Sequence, residues 1–182
     1  MAKLVAARVC SGLGAAAAVV LMVAGAHGAR AQSSAGLQDC ADAVGTYLTK
    51  NFQDGGNPED FMARSLLSLT NGGHAFFTDS GEGGEPGYKP FSDGRGAWRC
   101  VSKADGKSRI SAVILDFTFP SKNGEKQQIG RLDLDAVYDT RTGKLESQTT
   151  LYFAPLSGNP MDKSALSQGQ RFRIIGEKVS AP

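Results

Sequence analysis

Asp105-Gly106 stands between two segments of alternating apolar and polar residues, Ala97 to Lys103 and Lys107 to Phe119, and this pairing restricts the fold more than any other feature. Asp-Gly adopts the left-handed backbone of a two-residue hairpin turn, whose twist matches that of the strands it joins. Pro120 ends the second segment, and Ser121 to Glu125 carries turn chemistry leading to another strand from Ile129 to Tyr138. Asp139-Thr140-Arg141-Thr142-Gly143 turns the chain again into a long strand from Leu145 to Ala154. An antiparallel meander therefore occupies the second half of the chain. Upstream, His74 to Thr78 is short and aromatic enough for a strand, and Gly81 to Gly96 reads as a long Gly- and Pro-rich loop. Arg171 to Ile175, in the tail after Gly158, alternates basic and apolar residues as an added edge strand would.

The segment before His74 carries a different period. Leu37, Cys40, Ala41, Val44, Tyr47, Leu48 and Phe52 follow the three-and-four spacing of one helical face. Asp54-Gly55-Gly56 breaks that helix. Asn57 then serves as an N-cap, Pro58 fits a first helical position, and Phe61, Met62, Leu66 and Leu69 give a second helix an apolar stripe up to about Thr70. Two N-terminal helices ahead of a meander predict an α+β fold, with the helices packed on one face of a curved antiparallel sheet.

Centring the hairpin on residues 105 and 106 sets Trp98 across from Val113; keeping apolar residues on one face sets Ala136 beside Val113 and Ser147 beside Ala136. Leu115, Phe117, Leu132, Leu134, Tyr138, Leu145, Thr149, Leu151 and Phe153 share that inward face, and so does Cys100. Cys40 lies on the apolar stripe of the first helix. A Cys40–Cys100 disulfide would join two inward positions, helix to sheet. The opposite face collects Asp116, Thr118, Arg131, Asp133, Asp135, Glu146, Gln148 and Thr150. That is the alternation of a sheet with one wet face, and with no histidine and no calcium-loop spacing among the carboxylates, no metal site is expected.

The first residues supply the cellular context. Lys3 and Arg8 precede an apolar run from Gly12 to Ala26, which is followed by Ala29-Arg30-Ala31, the small-x-small pattern of a signal-peptide cleavage site. The run falls short of the roughly 20 apolar residues of a spanning helix. Residues 1–31 are thus expected to be removed on export to a periplasm or the exterior, without a stable membrane anchor, leaving 32–182 as one domain. The loss of Lys3, Arg8 and Arg30 takes the 20 basic residues to 17 against 18 acidic ones, so a formal charge of +2 becomes 17 − 18 = −1. No whole-chain positive charge remains to argue for nucleic acid as a partner. Cys10 leaves as well, and an even pair in an exported chain reads as a disulfide. His74 becomes the one remaining histidine.

Helices, a long loop and a bent meander containing SRISAVILDFTF, IGRLDLDAVYD and LESQTTLYF resemble the nuclear transport factor 2-like superfamily, which includes ketosteroid isomerases and polyketide cyclases. A cystatin-like helix-on-sheet domain has similar grammar. The resemblance implies a cone-shaped ligand cavity lined here by Trp98, Ala136, Tyr138, Ser147, Thr149 and Phe153. The enzymes of that superfamily place an ionisable pair in the cone, whereas the inward set here holds Tyr138 as its one titratable group. His74, after the second helix, is the other candidate for proton transfer. The expected function is therefore non-catalytic binding of a small apolar ligand or a protein partner, without a cofactor. The alternative is an isomerase- or dehydratase-like enzyme using His74 or Tyr138. A homodimer through the outer sheet face is a further expectation.

Overall fold

A computed structural model describes residues 35–57, 59–84, 89–120 and 124–181. Residues 1–34, which include the expected signal peptide, and Pro58, 85–88, 121–123 and Pro182 lie outside the described residues. The architecture is a closed barrel of eight antiparallel strands in sequence order. The strands are β1 (Gly45–Gln53), β2 (Ala63–Leu69), β3 (His74–Asp79), β4 (Gly94–Ala104), β5 (Lys107–Phe117), β6 (Gln128–Asp139), β7 (Lys144–Pro155) and β8 (Gln170–Lys178). β8 pairs with both β7 and β1, so the tail strand expected at an edge instead closes the barrel. Closure leaves no unpaired edge.

This arrangement overturns the α+β reading. The two expected helices are replaced by β1 and β2, preceded by one helical turn, α1 (Ala35–Gln38), and a 3-10 turn at Ala41–Ala43. The physical reason lies in which residues go inside. Tyr47, Thr49, Asn51, Ser65 and Leu67 are buried, while Leu48 and Leu66, taken for the apolar stripes of helices, pair across the strands and are exposed. Period-two alternation runs through both strands, but polar residues occupy part of its inward half, and the apolar residues alone mimic a helical spacing. With the helices gone, the cone-shaped cavity between helices and sheet goes too.

The Asp-Gly hairpin forms as expected, with Asp105 at φ 51° and Gly106 at φ 74°. The register beyond it does not. Ser102 pairs with Arg109 but Cys100 pairs with Ile110, so Val101 is a bulge. One extra residue flips every subsequent side chain of one strand relative to its partner. Trp98 therefore faces Ala112, not Val113, and Ala136 is joined to Ile110. Ile110, Ala112, Ile114 and Asp116 are buried, whereas Phe117 is exposed and Val113 and Leu115 are half-exposed. Beyond β5 the expected register holds: Ala136 pairs with Ser147 and Leu134 with Thr149. Gly96 accommodates the close approach of β5, since a Cβ there would stand 1.8 Å from Val113 O.

The two ends of the barrel differ. Short turns at 70–73, 105–106 and 140–143 lie at one end, and long connections at 54–62, 80–93, 118–127 and 156–169 lie at the other. Residues 37–44 are packed against the short-turn end. Cys40 and Ala43 are fully buried there with Tyr47, Trp98, Ile110, Tyr138, Leu145 and Ile174. The Cys40–Cys100 disulfide holds this segment to β4, with Cα atoms 5.6 Å apart. Tyr47 Oη donates to Ala43 O at 2.7 Å, Ser108 Oγ donates to Asp42 Oδ1 at 2.7 Å, and Lys178 Nζ donates to Asp42 O at 3.0 Å. The expected disulfide is present, tying an N-terminal turn to the sheet, and a disulfide fits an oxidising, exported environment. Among the described residues no helix is long and apolar enough to cross a membrane.

Candidate functional site

The interior of an eight-stranded barrel is just wide enough to be filled by side chains or to hold one small ligand. Here the two ends differ. Trp98, Ile110, Ala136, Tyr138, Leu145 and Ile174 fill the short-turn end. At the long-loop end the barrel opens into a cavity of about 780 Å³. That volume lies within the range of small-molecule sites.

The cavity has two unlike walls. β6, β7 and β8 contribute Leu132, Leu151, Phe153 and Phe172, with Gln128 and Gln170 at the ends of β6 and β8, and Phe77 of β3 and Phe91 add aromatic surface. β1, β3 and β5 contribute Asn51, Asp79 and Asp116, and Thr118 follows directly after β5. Lys89 and Arg171 also line it, each with a partner: Lys89 Nζ lies 3.3 Å from Glu125 Oε2 and donates to Gln128 Oε1, and Arg171 Nε lies 3.7 Å from Asp54 Oδ2. Exposed apolar side chains stand on the connections and strand ends around the opening, at Phe61, Met62, Phe117, Phe119, Leu156 and Met161.

The polar wall is organised by hydrogen bonds across three strands. Asn51 Nδ2 donates to Ser65 Oγ at 2.6 Å and to Asp79 Oδ2 at 2.7 Å; Ser65 Oγ donates to the same carboxylate oxygen at 2.6 Å. The Gly81 amide donates to Asp79 Oδ1 at 2.7 Å. Asp79 is thus satisfied on both oxygens. Asp116 is not. It is 6% exposed, and among the described residues no side chain donates to its carboxylate. Burial raises its pKa to about 6; the Gly130 amide opposes that shift and the negative charge of Glu82 adds to it. Glu82 is raised too, by burial first and then by Asp93 and Asp79 against the lowering effect of the Asp79 amide. Asp79, Glu82, Asp93 and Asp116 make this side of the mouth acidic. Among the described residues no group of three or more His, Cys, Asp or Glu has the arrangement to hold a metal ion.

The residues singled out from sequence are divided between the two ends. Phe153 lines the cavity. Trp98, Ala136, Tyr138, Ser147 and Thr149 are buried in the filled part of the barrel, away from the opening. Trp98 Nε1 donates to Thr70 O at 2.9 Å, Ser147 and Thr149 share a 3.0 Å hydrogen bond, and Tyr138 meets Tyr47 edge-to-face at 5.8 Å. His74, at the start of β3, is exposed by the short turn at 70–73 and lies at the end opposite the mouth. Neither His74 nor Tyr138 is among the cavity residues. Asp133, Asp135, Glu146, Gln148 and Thr150 lie on the outer face as expected, with Arg109 paired to Asp135 at 2.6 Å; Arg131, expected in solvent beside them, is buried, paired to Asp133 at 2.6 Å and donating to Pro160 O at 2.8 Å. Asp116 and Thr118, expected beside them, line the cavity instead.

Asn51, Ser65, Asp79 and Asp116 were the residues that sequence reasoning did not assign to a site. Their signal was present: each stands two residues along its strand from another inward position, namely Thr49, Leu67, Phe77 and Ile114. Searched against protein families, curated proteins and solved structures, the chain matches none.

Proposed function

We propose that this protein binds a small molecule with an apolar body in the open end of the barrel and does so without chemical turnover. One observation carries the reading: the barrel is filled and cross-linked at one end and hollow at the other, with an apolar wall facing a polar one. The open end is a concave mouth of about 780 Å³, the size of a small-molecule site. A mainly apolar pocket with a few oriented polar groups is the usual form of a small-molecule site. The apolar side chains around the opening extend that surface outward.

Proton-transfer chemistry has less support. Acid–base catalysis calls for positioned groups within reach of a substrate. Asp79 is saturated by its hydrogen bonds, and His74 and Tyr138 lie outside the cavity. Among the described residues, Asp116 is left as the buried carboxyl on the polar wall to which no side chain donates.

The test is a titration of the purified, disulfide-bonded protein with N-phenyl-1-naphthylamine, an uncharged dye that fluoresces on leaving water. Saturable one-to-one enhancement is expected. No enhancement, or enhancement that rises without saturation, contradicts a defined site.

A further inference from the structure

Asp116 has the Gly130 amide as its polar neighbour and, among the described residues, no cation beside it. It is 6% exposed and stands on the cavity wall, and the charge acting on it is that of another anion, Glu82. A buried carboxylate without a counter-charge is costly, and folded proteins pair such groups. Asp79, on the same wall, shows what a completed carboxylate looks like here, with Asn51, Ser65 and the Gly81 amide donating to it.

Resting on the ligand-binding reading, we propose that the cavity recognises an amphiphile whose polar end is a protonated amine, seated against Asp116 with its apolar body along Leu132, Leu151 and Phe172. An ammonium group at this position supplies the absent counter-charge and relieves the repulsion between Asp116 and Glu82. An anionic head is disfavoured from both directions. It would meet Asp116 and Glu82, and the cations at the mouth, Lys89 and Arg171, stand beside the carboxylates of Glu125 and Asp54 at 3.3 and 3.7 Å, toward solvent and not beside Asp116. A neutral head leaves Asp116 uncompensated.

Displacement of bound N-phenyl-1-naphthylamine by decylamine, decanol and decanoate, each below its micelle concentration, tests the assignment. The three share one chain and differ in head-group charge. Decylamine is expected to displace the dye at a concentration about tenfold or more below that of decanoate, as a close, poorly screened charge pair requires. The Asp116→Asn variant is expected to bind the dye and lose that preference. Decanoate equal to or better than decylamine overturns the head-group assignment while leaving the pocket intact, and so does a preference that survives in Asp116→Asn. Failure of the dye to bind overturns the pocket and the head-group assignment together.

Should the variant not fold, the wild-type protein decides by pH. The titratable groups facing Asp116 or lining the same mouth are Asp79, Glu82, Asp93, Lys89 and Arg171. An alkylamine stays protonated from about pH 5 to 8, as a lysine does. Its advantage over decanol is expected to shrink severalfold as the pH falls through the titration of Asp116. An advantage that does not change across that range contradicts the proposal.

Discussion

Asp116 and Gly130 face each other across β5 and β6 so closely that a Cβ on the glycine would stand 2.1 Å from Asp116 Oδ1. The carboxyl group occupies the space that any other residue would fill. Gly130→Ala is therefore expected to push Asp116 further into the cavity and to destabilise the fold by about 1–3 kcal/mol, the usual range for overpacking. Gly96→Ala should cost more, because its obstacle is the backbone oxygen of Val113 at 1.8 Å and not a side chain that can rotate. Gly83→Ala, with nothing within 4 Å, should stay within about 0.5 kcal/mol of the parent. Urea unfolding of the three variants gives the ranking.

Burial of Asp116 makes stability depend on pH with a definite sign. Its pKa rises from 3.8 to about 6 on folding, so between those values the native state holds more of this proton than the unfolded state. The contribution is fully present below about pH 4 and is lost as the pH rises through 6. Asp116→Asn removes the term. The variant should be more stable than the parent at about pH 8, by up to about 3 kcal/mol, with the difference closing toward pH 4. Asp42, Asp135, Asp139 and Asp162 have lowered pKa values and act in the opposite direction at more acidic pH, which is why the difference between the two proteins is the informative quantity.

The disulfide holds the N-terminal turn against the filled end of the barrel. Its reduction, or Cys40→Ser with Cys100→Ser, is expected to lower stability by about 4 kcal/mol for a 60-residue separation. Because the cavity lies at the other end, dye affinity in the folded population should change little. Thermal unfolding with and without reductant, paired with the dye titration, measures both quantities.

Cavity and filled end can also be separated by substitution. Leu151→Trp adds bulk to the apolar wall and is expected to weaken dye binding by at least about tenfold, since the site loses space as well as fit. Thr149→Val, in the filled part of the same strand, breaks the 3.0 Å contact with Ser147 and should affect stability alone. Fluorescence titration against the urea midpoint distinguishes the two effects.

How far the sequence specified this molecule varies along the chain. The hairpin at Asp105-Gly106, the strands after it and the Cys40–Cys100 bond were legible, because turn chemistry, alternation and cysteine count each carry a local physical meaning. β1 and β2 were not. Their inward positions include Thr49, Asn51 and Ser65, polar residues that a search for an apolar face passes over, while Leu48 and Leu66 face outward and complete a false helical stripe. Asp116 was lost through a single residue: the bulge at Val101 changes the register behind a correctly placed turn, and no local feature of Cys100-Val101-Ser102 announces it. The two failures have different causes: polar residues inside β1 and β2 in one case, and a register shift beside the closed end in the other. Asn51 belongs to both sets: it helps to hide β1 and it lines the candidate site.

The central claim is that a small molecule occupies the open end and not the filled one. Amide chemical shifts of the isotopically labelled protein, followed by NMR during titration with N-phenyl-1-naphthylamine, test it residue by residue. The account predicts saturable shifts at Asn51, Asp79, Asp116, Leu132, Leu151 and Phe172, with Trp98, Ala136 and Ser147 little changed. Shifts centred on the filled end or on the outer face, or none at saturating dye, would contradict it.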